Sequence, residues 1–279
     1  FSGISTGTER LLWEGRMPEF PGMGYPLVPG YETVGRVVEV CGNSPFKEGQ
    51  LVFVPGSSGY RDVRGLFGGT ASRIVVSAER IASFEGCEEI DATLMALAAT
   101  AHHAVTLSNT QLPDLVIGNG VLGRLASRMI VALGGEAPLI WEANPARRKG
   151  SEGFEVIEPG SSSDKQFHTV LDVSGDSSII DQIAPVLKSG GEIVLAGFYS
   201  SNISFAFPPV FMKEARFRIA AEWQKRDLEK TVGLVADGKL GLGGLVTHTR
   251  AVGQAHDAYE TAFGDPGCLK MVLDWREFE

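Results

Sequence analysis

The sequence predicts an α/β protein, with a doubly wound parallel sheet from about Gln111 to about Gly238 set between two β-rich stretches. Three observations carry that prediction. Near Leu112 the texture changes from short apolar runs broken by Gly and Pro to strand patterns alternating with helix patterns. A glycine-rich run, Gly118-Asn119-Gly120-Val121-Leu122-Gly123, sits where a strand pattern gives way to an amphipathic helix. Beyond Gly238 the mixed texture of the first stretch returns.

The elements follow in order. Phe1-Ser2-Gly3-Ile4 reads as a strand rather than a signal peptide. A chain that starts at Phe1 instead of Met is expected to lack its natural N-terminal segment. Strands are predicted at Thr33–Val40, Gln50–Val54 and Ser72–Val76, between the turn signals Pro21-Gly22, Pro26, Pro29-Gly30 and Pro55-Gly56. Such short strands suggest a small barrel or sandwich, which a helical stretch, Asp91–Val105, brings to an end.

In the second stretch Leu115–Ile117 is a buried strand. Leu122, Leu125, Ala126, Met129, Ile130 and Leu133 then line one face at helical spacing. Further strands are expected at Leu139–Trp141, His168–Val173 and Glu192–Ala196. A helix over Ser177–Leu187 is expected to stop at Gly190-Gly191. After a turn at Gly241–Gly244, Ala251–Phe263 reads as a helix and Cys268–Trp275 as a strand. The only low-complexity tract is Ser161–Ser163.

Composition sets limits on function. With 279 residues and 43% apolar content the chain can bury a large core. Its formal charge of −9 argues against nucleic acid or an anionic membrane as the main partner. Cys41, Cys87 and Cys268 lie far apart, with no C-x-x-C pair, which suits a reducing, cytoplasmic setting and supplies no zinc lobe. No run approaches the roughly 18 apolar residues that span a bilayer, so stable membrane insertion is not expected.

The glycine run has the physics of a dinucleotide loop, and the sheet is therefore read as a Rossmann domain. Gly118 permits a tight turn, Gly120 lets backbone approach a pyrophosphate, and Gly123 lets helix and strand pack closely. Val121 and Leu122 open the helix, whose free N–H groups and positive dipole end favour phosphate. Glu142 ends the next strand 19 positions after Gly123, where an acid accepts hydrogen bonds from ribose hydroxyls. Its charge would repel a 2′-phosphate, so NAD is expected over NADP, a preference that Arg147 and Arg148 weaken. Ser174, Gly197 and Phe198 each follow a strand and are candidate cofactor contacts, and Thr100 is a candidate contact to the nicotinamide.

Several stretches also carry a family likeness: Gly30-Tyr31-Glu32-Thr33-Val34-Gly35, the Gly49–Val54 strand, the dinucleotide loop, and Cys268-Leu269-Lys270-Met271-Val272-Leu273-Asp274. On these the chain resembles the medium-chain dehydrogenase/reductases. The resemblance implies a GroES-like β-barrel catalytic domain made of 1–110 and 239–279, with the Rossmann domain, 111–238, inserted between them. Within that family the runs Ser2–Arg10, Pro26–Glu32 and Asp62–Gly69 resemble a branch acting on pigments. It implies NAD-dependent oxidation of the 3-(1-hydroxyethyl) group of a chlorophyllide-type tetrapyrrole to 3-acetyl, in bacteriochlorophyll formation. It also implies a homodimer.

Zinc-using members carry a cysteine in the segment matching Gly3–Glu9 and a histidine before the glutamate of the Gly-x-Glu turn. Here those places hold Ser5 or Thr6, and Tyr31, leaving Glu32 alone, so no catalytic metal is expected. Proton removal then falls to hydroxyl or imidazole groups, with Thr6, Tyr31, Glu32, His102 and His103 as candidates. Being adjacent, His102 and His103 are not expected to share a helix face, so at most one should line a site.

A flat substrate calls for aromatic walls, for which Trp13, Phe20, Met23, Tyr25, Tyr60 and Phe67 are available. Arg10, Arg16, Arg61 and Arg64 are at hand for its propionate. Two alternatives stay open: a zinc-free quinone or enoyl reductase of the same fold, and a dinucleotide sensor without turnover.

Overall fold

A computed structural model describes residues 1–19, 23–108, 110–161, 164–199 and 201–278. Phe20, the Pro21-Gly22 turn signal and Ser162-Ser163 of the serine tract lie outside the described residues. In chain order the elements are β1 (Ser2–Ile4), α1 (Thr8–Trp13), β2 (Leu27–Pro29), β3 (Thr33–Arg36), β4 (Leu51–Val54), β5 (Arg64–Leu66) and α2 (Met95–Thr106). Next come β6 (Leu115–Ile117), α3 (Val121–Ala132), β7 (Leu139–Trp141), β8 (Val156–Ile157), β9 (Phe167–Asp172), α4 (Ile179–Ile183) and β10 (Leu187–Leu195). The chain closes with α5 (Phe207–Met212), β11 (Arg216–Ile219), α6 (Lys225–Ala236), β12 (His248–Ala251), α7 (Ala255–Gly264) and β13 (Met271–Asp274).

These elements divide into two compact units, Phe1–Ala96 with Val232–Glu279, and Leu97–Thr231. The first holds a five-stranded sheet of order β12-β13-β1-β3-β4 and a two-stranded pair, β2-β5. Its ends are sewn together: β1 runs antiparallel to β13, with Ser2 opposite Leu273 and Ile4 opposite Met271. Ile4, Ala258, Ala262, Cys268, Met271 and Leu273 bury α7 against that sheet. Alternation puts Ile4, Met271 and Leu273 on one face, as a half-covered sheet requires.

Two strand expectations change here. Ser72–Val76 forms no strand: the Val75 side chain is 80% exposed, and its carbonyl accepts a hydrogen bond from the Ser57 hydroxyl instead of joining a ladder. The strand expected to reach Val40 ends at Arg36, because Val38 points to solvent and has no apolar face to join.

The second unit is a six-stranded sheet of order β11-β10-β9-β6-β7-β8 whose pairings are all parallel. Strand order reverses around β6, the switch point where open α/β sheets bind ligands. Leu115, Ile117, Trp141, Val170 and Ile193 fill the core beneath it. On α3, Leu125, Ala126, Met129 and Ile130 are buried, while Leu122 and Leu133 are half-buried.

The helix expected over Ser177–Leu187 is shorter. It gives way to a 3-10 turn at Ala184–Val186, since Pro185 lacks the N–H that an α-helix needs. Gly190-Gly191 do not stop it. They lie inside β10, in a register irregularity between Leu187 and Glu192, where the Gly190 N–H donates to Lys213 O at 2.6 Å. No helix among the described residues is long and apolar enough to cross a membrane.

Candidate functional site

The glycine loop leaves β6 and opens α3. Gly118 has φ +101°, a left-handed conformation that disfavours any side chain, and its N–H donates to Trp141 O at 2.8 Å. A Cβ on Gly123 would run into the Gly118 carbonyl, so that glycine is fixed by close packing of helix on loop. Gly120 differs. It is the extended N-cap of α3, and nothing lies within 4 Å of where its Cβ would be. Sterics account for the first and third glycines; the second faces open space at a helix N-terminus, as a phosphate cradle requires.

Asn119, between the first two glycines, is the fully buried hub of the loop, and the sequence reading passed over it. Its N–H donates to Glu142 Oε2 (2.7 Å), its Nδ2 to Arg147 O (2.6 Å), and its Oδ1 accepts from the Ser151 hydroxyl (2.9 Å). Glu142 is buried, and its Oε1 accepts the Asn144 N–H at 2.8 Å. Each carboxylate oxygen thus holds one backbone donor and keeps a lone pair for another.

Arg148 is spent locally: its guanidinium donates to Glu142 O and Ala143 O. Arg124 likewise caps Asn119 O, Lys149 O and Gly150 O. Arg147 differs, since its Nε is buried without a hydrogen-bond partner among the described residues.

Three loops meet at the carboxyl ends of β6, β9 and β10. A Cβ on Gly118 would lie 3.3 Å from Ser174, and one on Gly197 would lie 2.8 Å from the Gly175 nitrogen. Ser174, Gly197 and Phe198 are therefore gathered at the end of the sheet that carries the glycine loop. Phe198 presents an exposed ring. The clasp is Asp172, which ends β9 fully buried. Its Oδ1 accepts the Ser174 N–H (3.0 Å), its carbonyl accepts from Ala196 and Gly197, and its Oδ2 takes the Tyr199 hydroxyl. Burial pushes the Asp172 carboxyl above its ordinary range, against the Tyr199 and Ser174 donors. No motif in the sequence announces this pair, whose members are 27 positions apart.

In the same unit His102 and His103 both reach one carboxylate, contrary to the expectation from their adjacency. His102 Nδ1 lies 2.9 Å from Asp227 Oδ1, and His103 Nδ1 lies 3.1 Å from Oδ2. Neighbouring positions diverge by about 100° on a helix, but a carboxylate set between the two rings offers one oxygen to each. Asp227 also accepts the Gln224 N–H at 2.8 Å, closing the first turn of α6 as a capping acid does. Burial works to raise its carboxyl, but the Gln224 N–H and the two imidazoles outweigh it and hold it below the usual range. Thr100 is half-buried on α2.

In the first unit, Ser5 Oγ and Tyr31 Oη share a hydrogen bond of 2.6 Å, and Thr6 is half-buried beside them in the turn to α1. Burial raises the Tyr31 phenol, with the nearby Glu32 adding to it. Glu32 is fully buried and ion-paired with Lys270, itself 1% exposed, whose Nζ also donates to Ile4 O at 3.0 Å. A Cβ on Gly3 would press on both members of that pair, which is why the strand carries glycine there.

Among the aromatic candidates, Tyr60 donates to Gly68 O and Phe67 packs edge-on to Tyr31 at 5.4 Å. Trp13 is half exposed and stacks on Tyr259 at 5.4 Å. Arg10 and Arg16 both pair with Glu14.

These residues do not fit a zinc ion. Of the residues expected at those places, Ser5 and Tyr31 are hydroxyls bonded to each other, Thr6 is a further hydroxyl, and the carboxylate of Glu32 is held by Lys270. Among the described residues no group of three or more His, Cys, Asp and Glu could hold a metal.

Residues 4–85 match the alcohol dehydrogenase GroES-like domain. Over 278 residues the chain is 50% identical to the 2-desacetyl-2-hydroxyethyl bacteriochlorophyllide A dehydrogenase of Rhodobacter capsulatus, covering 99% of this chain and 88% of that protein. Identity to the protein of the same name in Cereibacter sphaeroides is 51% over 280 residues, with the same coverage. Among solved structures, 2R,3R-butanediol dehydrogenase from Bacillus subtilis superposes with a TM-score of 0.81 over 98% of this chain and 89% of that one. At 19% identity that is a likeness of fold.

Proposed function

The chain belongs to the bacteriochlorophyllide dehydrogenases of the medium-chain dehydrogenase/reductase superfamily, and from that premise we propose that it oxidises the 3-(1-hydroxyethyl) group of a chlorophyllide-type tetrapyrrole to 3-acetyl with NAD and without zinc. The observation that supports the zinc-free reading is the Ser5–Tyr31 hydroxyl pair, in the segments where the resemblance implies that zinc-using members carry cysteine and histidine.

When bound, NAD would supply the acceptor for the hydride of the carbinol carbon. Its pyrophosphate would lie against the N–H groups of Val121 and Leu122, with Gly118, Gly120 and Gly123 allowing the approach. The spare lone pairs of Glu142 would take the ribose hydroxyls, and its charge disfavours a 2′-phosphate. Arg147, whose Nε is buried without a hydrogen-bond partner among the described residues, is a further cation there. Ser174, Gly197, Phe198 and Thr100 would meet the nicotinamide end.

The chain's own part is to move one proton. Tyr31 and Ser5 accept the hydrogen bond of the substrate alcohol and pass its proton on, with Thr6 as a further hydroxyl. Glu32, locked by Lys270, braces Tyr31 rather than touching substrate. His102 and His103 commit Nδ1 to Asp227, which leaves Nε2 as the nitrogen available to a ligand. The substrate eases the task, since a carbinol carbon attached to a conjugated macrocycle shares positive charge as hydride departs.

A homodimer would form through β11, the edge strand of the parallel sheet. Phe207, Phe211, Met212 and Ile219 are exposed there, and the first three line a cavity of about 460 Å³ together with the Phe205–Phe217 stack. Cys41, Cys87 and Cys268 form no disulfide among the described residues, which suits a cytoplasmic setting.

The deciding experiment mixes purified protein, NAD and a hydroxyethyl-chlorin and follows the long-wavelength absorption band. A shift accompanied by NADH formation is expected. NAD binding without a shift would favour a dinucleotide sensor. Zinc co-purifying stoichiometrically, with chelation abolishing turnover, would overturn the zinc-free reading.

A further inference from the structure

One buried acid in the first unit stands outside every role assigned so far. Glu9 is 2% exposed, and both its oxygens accept from neutral donors: Oε1 from the Ser5 N–H at 3.2 Å and Oε2 from the Tyr259 hydroxyl at 2.7 Å. Carboxylates are seldom buried on neutral donors, because desolvation is costly without a cation. Other charged groups facing it are Glu32 and Lys270, which neutralise each other. Tyr31 also lies within reach of its field.

The geometry ties this acid to the hydroxyl pair. The Glu9 N–H donates to Ser5 O at 3.0 Å while the Ser5 N–H donates back to the Glu9 side chain, so Ser5 is held at both its N–H and its C=O. Ser5 Oγ is the partner of Tyr31. From the other side, Tyr259 fastens Glu9 to α7 and is itself clamped by the stacked ring of Trp13. Glu9 and Trp13 are four residues apart, on one face of α1, and both meet Tyr259.

We propose that Glu9 is a positioning residue of the reaction: braced by Tyr259, its carboxylate fixes the Ser5 backbone, sets the Ser5–Tyr31 pair, and favours a proton resting on that pair as the alcohol gives it up. The inference rests on the reading that this pair meets the substrate alcohol. The carbinol O–H proton passes through the two hydroxyls to solvent, the C–H electron pair leaves as hydride to NAD, and the carbonyl forms. The Glu9 carboxylate stays as it is and acts through its charge. Burial pushes its carboxyl up to about 7, against the Tyr259 and Ser5 donors, so that charge switches on within the working range.

The test compares the full chain with Glu9→Gln and Tyr259→Phe, measuring kcat and KM for a hydroxyethyl-chlorin with NAD from about pH 5.5 to about pH 9. NAD affinity and the infrared band of protonated carboxyl groups are followed alongside. The wild-type kcat should rise through a step near pH 7. Glu9→Gln should lower kcat roughly 10- to 100-fold with KM nearly unchanged, and should flatten the step. Tyr259→Phe should move the step to higher pH, because the donor that held the carboxyl down is gone.

An unchanged kcat and step in Glu9→Gln, or an unmoved step in Tyr259→Phe, overturns the proposal, and the second variant decides alone if the first does not fold. A carboxyl band that titrates near pH 7 and vanishes in Glu9→Gln supports it. An active enzyme lacking that band refutes the role of Glu9 alone. A wild type with the band but no turnover brings down the substrate reading, and this inference with it.

Discussion

Replacing Lys270 with Met should destabilise the protein far more than replacing both Lys270 and Glu32. The pair is buried, at 1% and 0% exposure, so neither charge is solvated by water. Unit charges about 3 Å apart attract by roughly 5 kcal/mol at an effective dielectric of about 20. Lys270→Met removes that attraction and the bond to Ile4 O, leaving a carboxylate in apolar surroundings, at a cost of about 3–5 kcal/mol.

The penalty depends on pH, and its sign follows from linkage. Burial already raises the Glu32 carboxyl above its ordinary value, and Lys270 is what opposes that rise. Without Lys270 the native state holds a proton that the unfolded chain has released. Stability of the variant therefore falls as pH rises above the ordinary carboxylate value and levels off above the raised one.

In urea, followed by tryptophan fluorescence (Trp275 is anchored to Ser2 Oγ in this unit), the single variant should lose about 1–2 M of midpoint at about pH 8 and less at about pH 5. Glu32→Gln with Lys270→Met should lie within about 1.5 kcal/mol of wild type. A single variant within about 1 kcal/mol of wild type at the higher pH, or a double variant losing the sum of its parts, would refute the argument.

Other outcomes follow from the same geometry. Gly123→Ala should cost about 1–3 kcal/mol through the clash with the Gly118 carbonyl and weaken NAD binding, both read by thermal melts with and without NAD. Tyr31→Phe and Ser5→Ala should each lower kcat by about 10- to 100-fold with NAD affinity intact, as steady-state kinetics and fluorescence titration would show. Glu142→Gln should narrow the preference for NAD over NADP, and replacing Arg147 in that background should restore it, as paired Kd measurements will reveal. Asp227→Ala should unmoor both histidines and the first turn of α6, lowering stability by about 2–4 kcal/mol in urea unfolding.

The parts of the fold that local rules govern were legible in the chain. The β6–α3 junction was readable because the turn at Gly118 and the close approach at Gly123 each demand glycine, five positions apart, where a strand pattern gives way to a helix pattern. Helix α3 was visible through the 3.6 period of one buried face. Elements that carry weak periodicity were not: β8 is two residues long, β11 is an edge strand with exposed Phe217 and Ile219, and α6 shows its cap only once Asp227 is seen reaching Gln224. Ser72–Val76 misled because β-branched residues mark a strand only where a partner covers them.

What the sequence alone determined about this protein is the family and the glycine loop between β6 and α3, with no cysteine or histidine at the places where the resemblance leads one to look for zinc ligands. Residue identity and spacing along the chain suffice for each of these. Tertiary structure decided which acids and hydroxyls work together. Glu32 meets Lys270, Glu9 meets Tyr259, and Asp227 meets two histidines across 238, 250 and more than 120 positions respectively. Burial and pairing of a charge depend on what folds over it, and that is a property of contacts between distant segments that no local pattern encodes.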